Sequence, residues 1–128
     1  MKKIIQTQKA PSPVGPYNQA IIHNDTLYAS GQIAIDPATG QLITAAGIEA
    51  ETRRVMENVR AILQEAGLTF HDVLKCSIFV RNMNDYERIN AVYAGYFDEA
   101  TAPARELVEV ARLPKDVNIE ISVIAAFD

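Results

Sequence analysis

Between Ile48 and Val80 the spacing of apolar residues changes period, and that change restricts the fold more than any other feature of the chain. Ile48, Val55, Met56, Val59, Ile62, Leu63 and Ala66 recur at helical spacing, which places them on one face of an α-helix. Gly67 follows, a residue suited to the left-handed conformation that closes a helix. The segment VLKCSIFV (73–80) then alternates. Leu74, Cys76, Ile78 and Val80 take one face and Lys75 and Ser77 the other, the pattern of a strand with one buried side. A helix with one apolar stripe and a strand with one apolar face must bury these surfaces against each other, which predicts an α+β domain with helices packed on a sheet.

The flanking sequence extends this pattern. PSPVGPY (11–17) holds three prolines and a glycine and reads as a stiff, irregular lead-in. QAIIH and TLYAS flank Asn24-Asp25, a short loop of hairpin character. DPATGQL (36–42) is a second turn region. Asn84 is expected to open a second helix, with Glu87 completing a capping-box-like pair. Its buried stripe would comprise Tyr86, Ile89, Val92, Tyr93, Tyr96 and Phe97. Two strands, joined by a turn at LPKD (113–116), close the chain. The expected order is β-β-(β)-α-β-α-β-β, in a single domain over residues 1–128, with both helices on one face of the sheet.

The 128 residues are 48% hydrophobic, enough for a real core. Charges are interspersed and sum to −4. No basic stripe marks a nucleic-acid or membrane surface, and no apolar stretch has the length of a membrane span. The N-terminus lacks the apolar core of a signal peptide. Cys76 is the only cysteine, so no intramolecular disulfide forms, in keeping with a reducing compartment. A cytoplasmic protein is expected. Cys76 alternates with apolar neighbours and reads as core. His23 and His71 fall in or beside turns and read as surface residues.

Two charges stand inside the closing strands, Arg105 in PAREL and Glu120 in VNIEISVIAAF. Reading the strands as a hairpin with Arg112 opposite Val117 pairs Val108 with Ile121 and Val110 with Ile119, an apolar face for the helices. The other face would then carry Arg105, Leu107 and Glu109 beside Glu120, Ser122 and Ile124, with Glu109 opposite Glu120. A half-apolar sheet face with charges set into it predicts a subunit interface. Arg105 and Glu120 are offset by about 13 Å along this hairpin, so groups from a neighbouring chain would have to complete any shared site. Ordinary solvation or ion pairing is the competing reading of both charges.

SPVGPYNQA with Tyr17, YASGQI with Ser30-Gly31-Gln32, INAVYAGYF with Asn90, PAR with Arg105 and IEI with Glu120 occur in this order along the chain. Together they resemble the reactive intermediate deaminase family (RidA, in the wider YjgF group). The resemblance implies a chorismate-mutase-like α+β fold, with a mixed sheet and two helices on one face. It implies a homotrimer with sheets packed around the threefold axis and sites in the clefts between subunits. It also implies hydrolysis of 2-iminobutanoate and 2-iminopropanoate, derived from 2-aminoacrylate and its homologue, to 2-oxo acids and ammonia. After the arginine, the family commonly carries a small residue and then a cysteine. Here Glu106 and Leu107 stand there, and Leu107 still offers its backbone N–H to a substrate carboxylate.

The residues suit this chemistry. Arg105 can grip a carboxylate in a planar fork. Glu120 can act as general base on water and return the proton to nitrogen. Tyr17 supplies a hydroxyl or a wall, Gly31 permits close backbone approach, and Ser30 and Asn90 are polar neighbours. No cofactor or metal is expected: the zinc-deaminase pattern of H-x-E with P-C-x-x-C is absent. Two other classes remain in view. One is a non-catalytic module of the same fold that binds small carboxylates. The other is an endoribonuclease or translation inhibitor, against which the net negative charge argues.

Overall fold

A computed structural model describes residues 1–128. One mixed, six-stranded sheet has the spatial order β1-β2-β3-β6-β4-β5. Its strands are β1 (Lys3–Ile5), β2 (Ala20–His23), β3 (Thr26–Ala29), β4 (Val73–Val80), β5 (Ala104–Glu109) and β6 (Ile119–Ala126). Helices α1 (Ile48–Glu65) and α2 (Tyr86–Ala94) cover one face. Val55, Met56, Val59, Ile62 and Leu63 of α1, with Ile89 and Tyr93 of α2, are buried against Leu27, Cys76, Ile78, Val80, Ile119, Ile121 and Val123 of the sheet. Cys76 is therefore core, as expected, and His23 and His71 are exposed.

The termini of α1 and the β2–β3 hairpin follow their local chemistry. The α1 helix ends with Gly67 at φ 80°, where the Gly67 N–H bonds Gln64 O at 3.0 Å and the Leu68 N–H bonds Leu63 O at 2.8 Å. These paired reverse bonds satisfy carbonyls the helix leaves open. Between β2 and β3, Asn24 takes the left-handed conformation at φ 54°. Asn and Asp are among the few side chains that tolerate it.

Several expectations are corrected. The N-terminal Lys3–Ile5, for which the sequence reading gives no element, forms an edge strand. The bracketed strand after β3 is reduced to isolated bridges, Gln32 with Ile121 and Ile35 with Leu42. Leu74 leaves the buried face because a register shift between Val73 and Lys75 turns it outward. The cap before α2 is Asn82 rather than Asn84: the Asn82 side chain accepts from the Asn84 N–H, at a short 3-10 turn preceding the helix.

The largest correction concerns the last two strands, which are not a hairpin. β4 lies between them, parallel to β5 and antiparallel to β6. Residues 110–118 cross the end of β4, held there by Val110 N–H to Val80 O at 2.8 Å and Arg81 N–H to Asn118 O at 3.0 Å. The crossing spans two strand spacings, about 10 Å, well within reach of that connector. Leu113 and Val117 bury themselves along the way. Cys76 registers with both Arg105 and Val123, and Phe79 with both Val108 and Glu120. Arg105, Leu107 and Glu109 thus share the helix-covered face. Glu120 lies on the open face with Phe79, Val108, Ser77 and Glu106. The β6 parity was read correctly and the β5 parity was not. Glu109 does not oppose Glu120; it pairs with Val80 and accepts from the Met83 N–H at 2.8 Å.

Buried polar groups tie loops to this frame. Asn58 of α1 is fully buried and donates to Ile33 O and Ile35 O at 3.1 and 3.0 Å. Glu51, also fully buried, accepts from the Asn118 backbone and side-chain N–H groups at 2.7 and 2.8 Å. It thereby anchors the start of β6. Replacing Asn58 with Leu preserves volume but strands both carbonyls, each costing about 1–3 kcal/mol when buried. Asn58→Leu is expected to lose about 2–4 kcal/mol of stability, seen as a lower urea midpoint at unchanged slope and fixed protein concentration.

Candidate active site

The proposed site residues fall into two groups in two clefts. The first cleft, of about 460 Å³, is lined by Tyr17, Ser30, Gly31 and Glu120, with the 11–14 segment, Pro114 and Lys115 on its walls. Glu120 comes from the open face of β6. The chain approaches it most closely at Gly31: a Cβ there would overlap the Glu120 carboxylate oxygen and lie 2.8 Å from its Cδ. Only glycine leaves the Glu120 side chain in this position; any Cβ would have to push the carboxylate aside. Burial raises the Glu120 carboxyl pKa above the ordinary value, because desolvation disfavours the charged form.

The walls of this cleft are fixed by polar contacts. Gln19 is buried. Its Oε1 accepts from the Thr7 N–H at 2.7 Å, and its Nε2 donates to Thr7 O, Ala10 O and Pro11 O at 3.0, 3.2 and 2.8 Å. This holds the proline-rich lead-in against the sheet. The Ser30 hydroxyl donates to Asn18 O at 2.6 Å, so it is engaged in the wall. The Gln32 and Ile121 backbones exchange bonds at 2.8 and 3.1 Å, which keeps Gly31 next to Glu120. Lys115 and Asp116 are left-handed at φ 55° and 57°, a conformation non-glycine residues adopt at a cost. The Arg112–Asp116 ion pair at 2.7 Å spans this turn.

The second cleft carries Arg105 and Asn90, with Tyr93, Ala94, Phe97 and Pro103 among its walls. Arg105 donates through Nη1 to Asn90 Oδ1 at 2.6 Å and through Nη2 to Tyr86 Oη at 3.0 Å. Its guanidinium carbon stands 5.0 Å from the Tyr93 ring centre and 5.6 Å from that of Tyr86, within cation–π range. No carboxylate pairs with it, a state it shares with Arg53, Arg54 and Arg81, whereas Lys75, Arg60, Arg88 and Arg112 have acidic partners; Glu99 is the acid on this cleft's wall. β5 is an edge strand. Since the Val110 N–H points to β4, strand alternation turns the N–H groups of Arg105 and Leu107 to the open edge. The Leu107 N–H is thus on the open edge, two residues beyond Arg105. The Leu107 side chain packs against the core. Glu106 sits on the open face, bonded by Ser77 Oγ at 2.6 Å and paired with Lys75 at 3.2 Å. These contacts hold its carboxyl pKa low.

Within one chain, Arg105 and Glu120 do not meet. They lie on opposite faces of the sheet, with β4 between their strands. The shared face expected from the hairpin reading is therefore overturned, because that reading placed β5 and β6 side by side. Tyr86, expected in the buried stripe, is instead a polar contact of Arg105, and Gln19 of the SPVGPYNQA motif carries an anchoring role for which its sequence gives no signal. For Tyr86 the signal was present: Tyr86, Asn90 and Tyr93 follow at helical spacing, each with a polar tip.

The chain contains no group of three or more His, Cys, Asp or Glu side chains arranged to hold a metal ion. No helix is long and apolar enough to cross a membrane.

Comparison with known proteins places this arrangement. A family model described as Endoribonuclease L-PSP matches residues 7–127. A RutC family protein of Synechocystis is 54% identical over 123 residues, covering 96% of this chain and 95% of that protein. A 2-iminobutanoate/2-iminopropanoate deaminase of Salmonella typhimurium is 47% identical, covering 98% of each chain. A crystal structure of Escherichia coli TdcF with bound serine superposes with TM-score 0.92 at 43% identity, covering 98% of this chain and 99% of that one. The fold is that of these solved structures, and the chain belongs to the Endoribonuclease L-PSP family, the group to which the RidA and YjgF proteins belong.

Proposed function

We propose that the protein is a 2-iminobutanoate/2-iminopropanoate deaminase whose site joins the Arg105 cleft of one chain to the Glu120 cleft of the next in a homotrimer. The observation that carries this reading is the state of Arg105: a guanidinium bonded to neutral groups and in no ion pair, although Glu99 lines the same cleft. Such a group is preorganised for an external carboxylate. The sheet's open face supports the assembly, with Tyr28, Val108, Phe79 and Ile124 exposed or half-exposed on it. Opposite-face placement of the two charges gives a second chain a reason to contribute. The name of the Salmonella relative supports the substrate class. The net charge of −4 weighs against the nuclease named in the family description.

In this scheme Arg105 and the Leu107 N–H hold the substrate carboxylate. Ionised Glu120 takes a proton from water as the water oxygen adds to C2, and the C=N electron pair moves to nitrogen. Protonated Glu120 returns its proton to that nitrogen. Because the imine enters protonated, that nitrogen is now an ammonium; the C–N electron pair leaves with ammonia, and the hydroxyl gives its proton to Glu120 as the C=O bond of the 2-oxo acid forms. A carboxyl pKa raised by burial suits both steps. Tyr17 and the Gly31 backbone border the reacting carbon, with Ser30 bracing that wall.

Glu120→Gln should lower ammonia release from freshly generated 2-iminopropanoate by ~100-fold or more. It should also stabilise the protein at neutral pH. With a raised folded-state pKa, the protonated carboxyl is favoured on folding. That contribution is complete below the ordinary carboxylate pKa and is lost as pH rises through the raised one. The stability gain of Glu120→Gln over wild type should therefore vanish on acidification, which melting curves across pH would reveal.

Arg105→Lys keeps the charge and loses the fork. Catalytic efficiency should fall about 10- to 150-fold, while light scattering still reports the trimer. Normal kinetics in this variant would remove Arg105 from the site.

Complementation tests the joint site. Glu120→Gln and Arg105→Ala chains, each inactive alone, are refolded as an equal mixture. If each site takes Arg105 from one chain and Glu120 from its neighbour, about a quarter of the sites are intact by random assembly around the ring. Recovery to about a quarter of wild-type activity is expected; no recovery would contradict the two-chain site.

A further inference from the structure

We propose that Tyr86 is a positioning residue that aims Arg105 and thereby sets affinity for the substrate carboxylate, an inference that rests on the function proposed above. Tyr86 opens α2, and Asn90 and Tyr93 follow on the same helical face. Together they form a cradle: Tyr86 Oη and Asn90 Oδ1 each hold one terminal nitrogen of Arg105, and the rings of Tyr86 and Tyr93 flank the guanidinium carbon. A guanidinium has five N–H donors. With one bond to each of Asn90 and Tyr86, the plane is fixed from both arms and three donors remain for a ligand.

Tyr86 suits this task by its chemistry and its position. A phenol accepts a hydrogen bond without neutralising the cation, which a carboxylate at the same place would do. Tyr86 is 39% exposed, so its hydroxyl is not required to fill the core. Tyr93 is buried and cannot be tested without disturbing packing, and Asn90 alone leaves the second arm free to swing. The bond from Arg105 to Tyr86 is therefore the removable part of the cradle.

The test is Tyr86→Phe, which deletes one oxygen and keeps the ring. In the wild type, hindered rotation about Nε–Cζ should give separate nitrogen-15 signals for the two terminal nitrogens of Arg105. In Tyr86→Phe they should coalesce at the same temperature. Titration with 2-oxobutanoate should show affinity about 3- to 10-fold weaker, consistent with a hydrogen bond to a charged group acting indirectly. KM for the imine should rise by a similar factor, with the loss falling on KM rather than kcat. The melting temperature should stay within about a degree, since the change is at an exposed hydroxyl. Unchanged Arg105 signals and unchanged 2-oxobutanoate affinity in Tyr86→Phe would overturn the assignment. A wild type that neither binds 2-oxobutanoate nor releases ammonia would instead overturn the proposed function, and the Arg105 signals would still report whether Tyr86 orders the guanidinium.

Discussion

The position of β4 governs both faces of this molecule. It pairs in parallel with β5 on one side and antiparallel with β6 on the other, so the register of this one strand decides where every charge on its neighbours points. Through Cys76, Ile78 and Val80 it draws Arg105, Leu107 and Glu109 to the helix side. Through Lys75, Ser77 and Phe79 it leaves Glu106, Val108 and Glu120 on the other. Burial of its apolar row, all of it inaccessible to solvent, holds that register in place, since a slip of one residue would expose the row. The two clefts are thus consequences of one buried strand.

The helices hold the chemistry in different ways. α1 reaches across with buried polar side chains, Asn58 to the 33–35 backbone and Glu51 to Asn118, and so braces both walls near Glu120. α2 instead presents a face of tyrosines and an asparagine to Arg105. One group is kept as a half-buried carboxyl and the other as a cation outside any ion pair. The function proposed above therefore needs an assembly to bring both to one substrate.

Much of this was legible in the amino-acid order. The α1 stripe and its closing Gly67, the β2–β3 hairpin at Asn24, the alternation of β6 and the burial of Cys76 all depend on neighbours close in sequence, where periodicity speaks directly. The relative placement of β5 and β6 was not legible. A connector of the length of 110–118 serves equally to turn a hairpin or to cross a strand, and the apolar patterning of β5 is too mixed to choose between the two parities. With Val108 and Val110 as the guide, the face was assigned backwards. The cradle around Arg105 escaped for a related reason: a tyrosine at helical spacing satisfies a core stripe and a polar contact equally well, and only the position of β5 distinguishes them.

The contact between Gly31 and Glu120 has a further consequence. Every substitution at position 31 adds volume where the carboxylate already lies. What stands in the way is the movable end of a side chain rather than backbone, so the fold can yield there while the acid is pushed aside. In the function proposed above, a side chain at position 31 would thus take the acid from its place while leaving the architecture standing.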